Sequence, residues 1–191
     1  MYLIIDCETT GLPRNWKAPV TDLDNWPRVI QLAWALYDAS DSRLESVVHL
    51  VRPDGFVIPH DAQKVHHLST ERALLEGSDL RVVASEFSAA ASKAEVIVAH
   101  NIKFDEKVIS AEYLRLNQAS PFQNKRRVCT MEQSTEFCRI PGNYGYKWPT
   151  LSQLYRILFH SDYQEAHDAG ADVSACARCF FELKKRGVLI P

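Results

Sequence analysis

The chain has 191 residues, 46% of them hydrophobic and 24% charged, the size and composition of one globular domain able to bury a core. Twenty-two Lys and Arg against 24 Asp and Glu leave a formal charge of −2, which excludes a broad basic surface that coats nucleic acid. Apolar runs fall short of the ~18–20 residues of a membrane span and no charged-then-apolar leader opens the chain, so a soluble, cytoplasmic single domain over residues 1–191 is expected.

Leu3-Ile4-Ile5 is apolar on both faces, as a short central strand requires. Residues 14–27 form a loop with prolines at 19 and 27 and two tryptophans, Trp16 and Trp26. Val29 to Tyr37 and Leu44 to Val51 read as two more strands, and the short connection between them suits an antiparallel hairpin. Asp61 to Glu76 is helical with a cap-like break at Ser69-Thr70-Glu71, and Asp79 to Lys93 is an amphipathic helix. Glu95 to His100 is a buried strand, followed by a helix from about Asp105 to Asn117.

Lys125 to Cys129 is a short strand, and Met131 to Cys138 turns helical. Pro141 to Pro149 is a Gly- and aromatic-rich loop, Thr150 caps a helix from Leu151 to Phe159, and Asp168 to Arg186 is the last helix. This order predicts a layered α/β domain. Five cysteines, an odd number without framework spacing, fit a reducing compartment. Cys176-x-x-Cys179 lies in a helical pattern with no partner pair at zinc spacing, so it reads as core.

Three places carry acids in patterns that ask for chemistry. Asp6 and Glu8 stand two apart at the end of a buried strand, so both carboxylates point to one face. Two like charges buried side by side are costly unless a cation or proton compensates, although acids at a strand end also reach solvent. Asp105 follows the second buried strand and is aimed at the same sheet edge, where it reads equally as a helix N-cap. Asp172 falls early in the last helix, and His167 lies just before that helix, where an exposed His beside the Asp168 cap is the plainer alternative. Four carboxylates and an imidazole from three elements suit hard cations, Mg²⁺ or Mn²⁺. Two such ions stabilise both oxygens of a phosphoryl displacement, and an imidazole takes a proton from attacking water.

Asp6-Cys7-Glu8-Thr9-Thr10-Gly11-Leu12-Pro13, Asn101-x-x-Phe104-Asp105 and His167-x-x-x-x-Asp172 resemble, in order, the three motifs of the DEDDh (DnaQ-like) 3′→5′ exonuclease family. That family includes the proofreading epsilon subunit of bacterial DNA polymerase III. The resemblance implies a ribonuclease H-like fold, a mixed five-stranded sheet with its second strand antiparallel, flanked by helices. It implies that Asp6, Glu8 and Asp172 hold one Mg²⁺ or Mn²⁺, that Asp6 and Asp105 hold a second, and that His167 is the general base. Thr9, Thr10 and Gly11 would receive the terminal nucleotide, with Leu12 wedged beside its base and Phe104 and Asn101 at the pocket.

Val65-His66-His67 resembles the family segment that packs on the 3′ nucleotide, except that His67 stands where that segment usually has Gly. A side chain there is expected to intrude on or extend the pocket, and solvent-facing helix residues are the alternative for His66. The implied partners are a nucleic-acid 3′ end, DNA ahead of RNA, and a DNA polymerase; no membrane is implied. An RNA exonuclease or oligoribonuclease is the nearest alternative activity. A non-catalytic nucleic-acid or polymerase-binding module is the alternative outside enzymes. Trp16, Trp26 and the Tyr144–Pro149 loop are candidates for base stacking against a plainer role in packing, and Lys103 and Lys107 for phosphate steering.

Overall fold

Alternation along the first strand decides how the layers assemble. In the computed structural model, which describes residues 1–163 and 167–189, β1 runs Tyr2–Thr9. Leu3, Ile5 and Cys7 point into one apolar layer, and Ile4 points into the other. The strand is longer than Leu3-Ile4-Ile5 because β2 (Val29–Tyr37) pairs with it along its whole length, Asp6 opposite Ala33 and Glu8 opposite Gln31. β4 (Val96–Ala99) pairs only with Tyr2–Ile4, so Asp6 and Glu8 lie where β1 is held by β2 alone and runs on beyond its parallel partner.

The sheet order is β3-β2-β1-β4-β5, with β3 at Arg43–Leu50 and β5 at Arg126–Cys129. β2 is antiparallel to both neighbours, whereas β1, β4 and β5 are mutually parallel. The expected mixed five-stranded sheet with an antiparallel second strand is borne out. Between β3 and β4 come α1 (His60–His66), α2 (Thr70–Glu76) and α3 (Leu80–Lys93). The break between α1 and α2 comes from His67 in the left-handed region (φ 60°) and from Ser69, which caps α2 by accepting from the Arg72 amide.

α4 (Ile102–Arg115) follows β4 and packs with α3 over the layer that holds Cys7. It starts earlier than Asp105, because Asn101 turns the chain with a left-handed backbone (φ 80°) and no side-chain cap. Asp105 is consequently inside the first turn, and its reading as an N-cap is corrected. Two short turns follow β5, α5 (Thr130–Gln133) and α6 (Thr135–Cys138). The Pro141–Pro149 segment, expected as loop, contains a small hairpin of β6 (Pro141–Gly142) and β7 (Gly145–Tyr146).

The opposite layer, which receives Ile4, is built by α7 (Leu151–Phe159) and α8 (Ala169–Lys185). Thr150 begins α7 with a full capping box to Gln153. Cys176 and Cys179 are buried in this layer, in keeping with their reading as core. The long segment before β2 is held down rather than loose. Buried Glu112 accepts from Arg28 Nε and the Val29 amide at 2.9 Å each, and Arg115 donates to the carbonyls of Leu23 and Trp26 at 2.6 and 2.8 Å. Among the described residues no helix is long and apolar enough to cross a membrane.

Candidate active site

The site forms where the α8 N-terminus crosses β1. Asp6 and Glu8 share the phase of Ile4, so they face the layer of α8, from which Asp172 comes. Glu8, His167 and Asp172 each offer a ligand atom within 4.8 Å of the others, the one such group of three among the described residues. The α8 entry is fixed by a lattice of hydrogen bonds. Asp168 accepts from the Ala171 amide at 3.0 Å as the N-cap, and Gln31 of β2 donates to Asp168 at 3.1 Å while accepting from the Ala169 amide at 2.8 Å.

His167 precedes this cap with a left-handed backbone (φ 71°), and its amide donates to Asp172 Oδ2 at 3.1 Å. That kink supplies the loop-then-helix geometry that brings residues five apart to one point. His167 is exposed, yet it stands within the carboxylate group.

Asp105 approaches from the other side of β1, that of Cys7, whose thiol donates to Asp105 Oδ1 at 3.2 Å. Asp105 is outside the compact trio, and so is Asp6, but their charges are felt throughout the site. Burial, then Asp105, Asp172 and Glu8, push the Asp6 carboxyl well above the usual range. Burial, then Asp172 and Asp105, push Glu8 up to about 8. Asp105 is raised by burial to about 7, against the pull of the Cys7 hydrogen bond. Asp172 is raised by burial, opposed by the hydroxyl of Tyr163, which donates to its Oδ1. Four acids that resist ionising together are what a divalent cation would compensate, and their oxygen-rich donor set fits a hard ion.

The turn after β1 is shaped by its own side chains. Thr9 is buried and its hydroxyl donates to the Gly11 carbonyl at 2.7 Å, while Thr10 Oγ1 accepts from the Arg28 amide at 2.9 Å. Gly11 sits at φ 140°, which only glycine adopts readily, and Leu12 stands 72% exposed beyond it, free to meet a ligand.

His66 is buried, so its solvent-facing alternative is corrected. Its Nδ1 accepts from the Leu68 amide at 3.1 Å, and Nε2 has no hydrogen-bond partner among the described residues. Burial holds its pKa below the ordinary value, against an upward pull from the Thr9 backbone, which places the ring beside the terminal turn. Val65 is exposed. His67 is exposed too, a helix C-cap rather than a side chain turned inward.

Phe104 packs on Trp16 with ring centroids 5.7 Å apart. Trp26, by contrast, is 2% exposed, donates from Nε1 to the Pro19 carbonyl at 2.9 Å and lies under Lys107, so its expected availability for stacking is corrected. Lys103 pairs with Glu132 at 2.6 Å and Lys107 is bonded to backbone carbonyls, so neither is an unengaged phosphate-steering charge. Tyr163, Gln31 and Cys7 were not singled out as site residues by sequence. Cys7 alone carried a signal, since a residue between two same-face acids must face the other way.

The family model for exonucleases (RNase_T) matches residues 3–180. The chain belongs to the exonuclease family. That membership bears out the expected DnaQ-like relationship and the enzyme class. The chain is also 28% identical over 179 residues to the DNA polymerase III epsilon subunit of Treponema pallidum, covering 94% of this chain and 74% of that one.

Among solved structures it is similar to E. coli exonuclease I in complex with a dT13 oligonucleotide. The TM-score there is 0.77 at 19% identity, over 97% of this chain and 41% of that one. A zinc-bound form of that enzyme with single-stranded DNA matches at a TM-score of 0.76 and 20% identity, over 97% and 40% of the two chains. The chain thus spans about two fifths of the exonuclease I chains it matches, and the likeness to them is one of fold.

Proposed function

We propose that the chain is a metal-dependent 3′→5′ exonuclease that hydrolyses the terminal phosphodiester of a nucleic acid and releases nucleoside 5′-monophosphates. The observation that carries this reading is the meeting of Glu8, His167 and Asp172 within 4.8 Å, beside two further acids, Asp6 and Asp105, whose carboxyls burial pushes above the usual range. Asp6, Glu8 and Asp172 would hold one Mg²⁺ or Mn²⁺, and Asp6 with Asp105 a second. Such a pair of ions, when bound, supplies Lewis-acid stabilisation to the attacking and departing oxygens.

His167 accepts the proton of the attacking water, a task suited to an imidazole that stands at the open side of the carboxylates. The Thr9–Leu12 turn receives the terminal nucleotide, with His66, Val65, Asn101 and Phe104 around it. Buried His66, with Nε2 unpartnered among the described residues and close to Thr9, supports that pocket.

DNA is the preferred substrate in this reading, by the relationship to a DNA polymerase subunit, and a polymerase is the corresponding partner. A reducing, cytoplasmic location fits five cysteines that are all free thiols. The test is a denaturing-gel assay on matched 5′-labelled single-stranded DNA and RNA, with Mg²⁺, with Mn²⁺ and with EDTA. Stepwise shortening from the 3′ end that chelation abolishes is expected. Undiminished cleavage after exhaustive chelation overturns the metal mechanism, and faster cleavage of RNA assigns the ribo-substrate.

A further inference from the structure

Two exposed tryptophans from distant parts of the chain line one cleft along α4, the helix that carries Asp105. Trp16, from the segment before β2, is 49% exposed, and Trp148, after the β6–β7 hairpin, is 61% exposed. With Asn101, Lys103, Lys107 and Met131 they line a cavity of about 490 Å³. Asn101 and Met131 lie just beyond the carboxyl ends of β4 and β5, the sheet edge where α/β folds bind ligands. Phe104, one residue before Asp105, touches Trp16 and so connects the cleft to the terminal-nucleotide pocket.

Both indoles are mounted on anchored backbone. The side chain of Asn25 accepts from the Asn15 amide at 2.7 Å and donates to the Asn15 carbonyl at 3.0 Å. Lys107 donates to the Trp16 carbonyl at 3.0 Å. On the other side, His100 Nε2 donates to the Pro149 carbonyl at 3.0 Å, beside Trp148. Large aromatic surface held out in water on a fixed frame is poised to take a flat apolar face. Lys103 at the rim is paired with Glu132 and Lys107 is held on the Trp16 and Ala18 carbonyls, so the exposed indole faces, rather than free positive charge, select the ligand, and a flat unpaired base suits them.

We propose that the Trp16–Trp148 cleft is a stacking subsite for the unpaired base next to the 3′-terminal nucleotide. This rests on the exonuclease reading and adds that the enzyme grips a single-stranded end of at least two nucleotides. Bases held within a duplex cannot offer both faces, so a paired 3′ end must fray before it is gripped.

The test compares the wild type with Trp16→Ala, Trp148→Ala and the corresponding Trp→Phe variants on two sets of single-stranded DNA. One set bears every base, and the other is abasic at the position next to the 3′ terminus. On the complete strands each Trp→Ala change is expected to raise KM roughly tenfold, the worth of one base stacked on an aromatic face, with kcat changed less than about twofold. The Trp→Phe variants should recover most of that loss. On the abasic strands the wild type should already show the raised KM, and the alanine variants should add nothing.

Quenching of tryptophan fluorescence by the complete strands in EDTA reads the same contact without turnover, since Trp26 and Trp34 are buried and cannot meet a base. Quenching in the wild type that the double Trp→Phe variant loses, with no hydrolysis by any form, would sink the exonuclease reading and leave the subsite standing. No quenching in the wild type, an unchanged KM in both alanine variants, or an equal rise on abasic strands overturns the subsite.

Discussion

His167 and Asp172 reach the same point by different routes, one from a left-handed kink and one from the first turn of α8. That difference separates their roles. Asp172 is locked by the Tyr163 hydroxyl and the His167 amide, which orient its oxygens toward Glu8. The His167 side chain stands on the exposed side of the site, where water arrives. Removing a general base should lower turnover by roughly 10²–10⁴-fold while leaving ion binding in place. His167→Ala is therefore expected to lose activity yet keep its thermal stabilisation by Mn²⁺, whereas Asp172→Ala should lose both. A calorimetric titration of each variant with Mn²⁺ decides it: equal loss of binding in the two makes His167 a ligand. The Tyr163 contact had no trace in the sequence pattern, because a lone loop tyrosine acquires meaning only once the chain folds back on α8.

At the level of elements, the turn at His67 holds a side chain where backbone geometry favours none. Its φ of 60° closes α1 through a bond from its amide to the Gln63 carbonyl, and the imidazole is exposed. A left-handed non-glycine residue costs roughly 1–2 kcal/mol, partly returned by the lower chain entropy of the unfolded state. His67→Gly should accordingly stabilise the chain by about 1 kcal/mol and raise Tm by about 2–4 °C for a domain of this size. Because the ring is exposed and not turned inward, KM should not change. A lower Tm would show that the imidazole makes a stabilising contact.

Regular elements were legible wherever burial imposes a period: β2, α3, α7 and α8 fall within a residue or two of their expected spans. The start of α4 was not, because Asn101 turns the chain with its backbone instead of presenting a capping side chain. The three acid motifs were legible as short local patterns, and order along the chain was enough to assemble them. The Trp16–Trp148 cleft was not, since its two walls belong to irregular segments whose meeting depends on the Asn25, Lys107 and His100 anchors.

The molecule as a whole stores unfavourable charge in one place, and pH exposes that. In the folded metal-free chain Glu8 keeps its proton up to about pH 8 and Asp105 up to about pH 7, with Asp6 and Asp172 shifted in the same direction. In the unfolded chain carboxyls release theirs near pH ~4. Between those limits the folded state binds more protons, so these groups make stability fall as pH rises. A divalent cation takes the place of the protons, and its stabilising effect must grow across the same window.

Melting curves from pH 5 to 8 in EDTA should therefore show Tm falling more steeply in the wild type than in Glu8→Gln, which carries no charge to bury. Added Mg²⁺ or Mn²⁺ should raise the wild-type Tm more at pH 8 than at pH 5. Parallel slopes in the two proteins, together with a cation effect independent of pH, would mean that these carboxylates are already solvated as separate acids. The convergence of β1, α4 and α8 on one charged centre would then lose its physical reason.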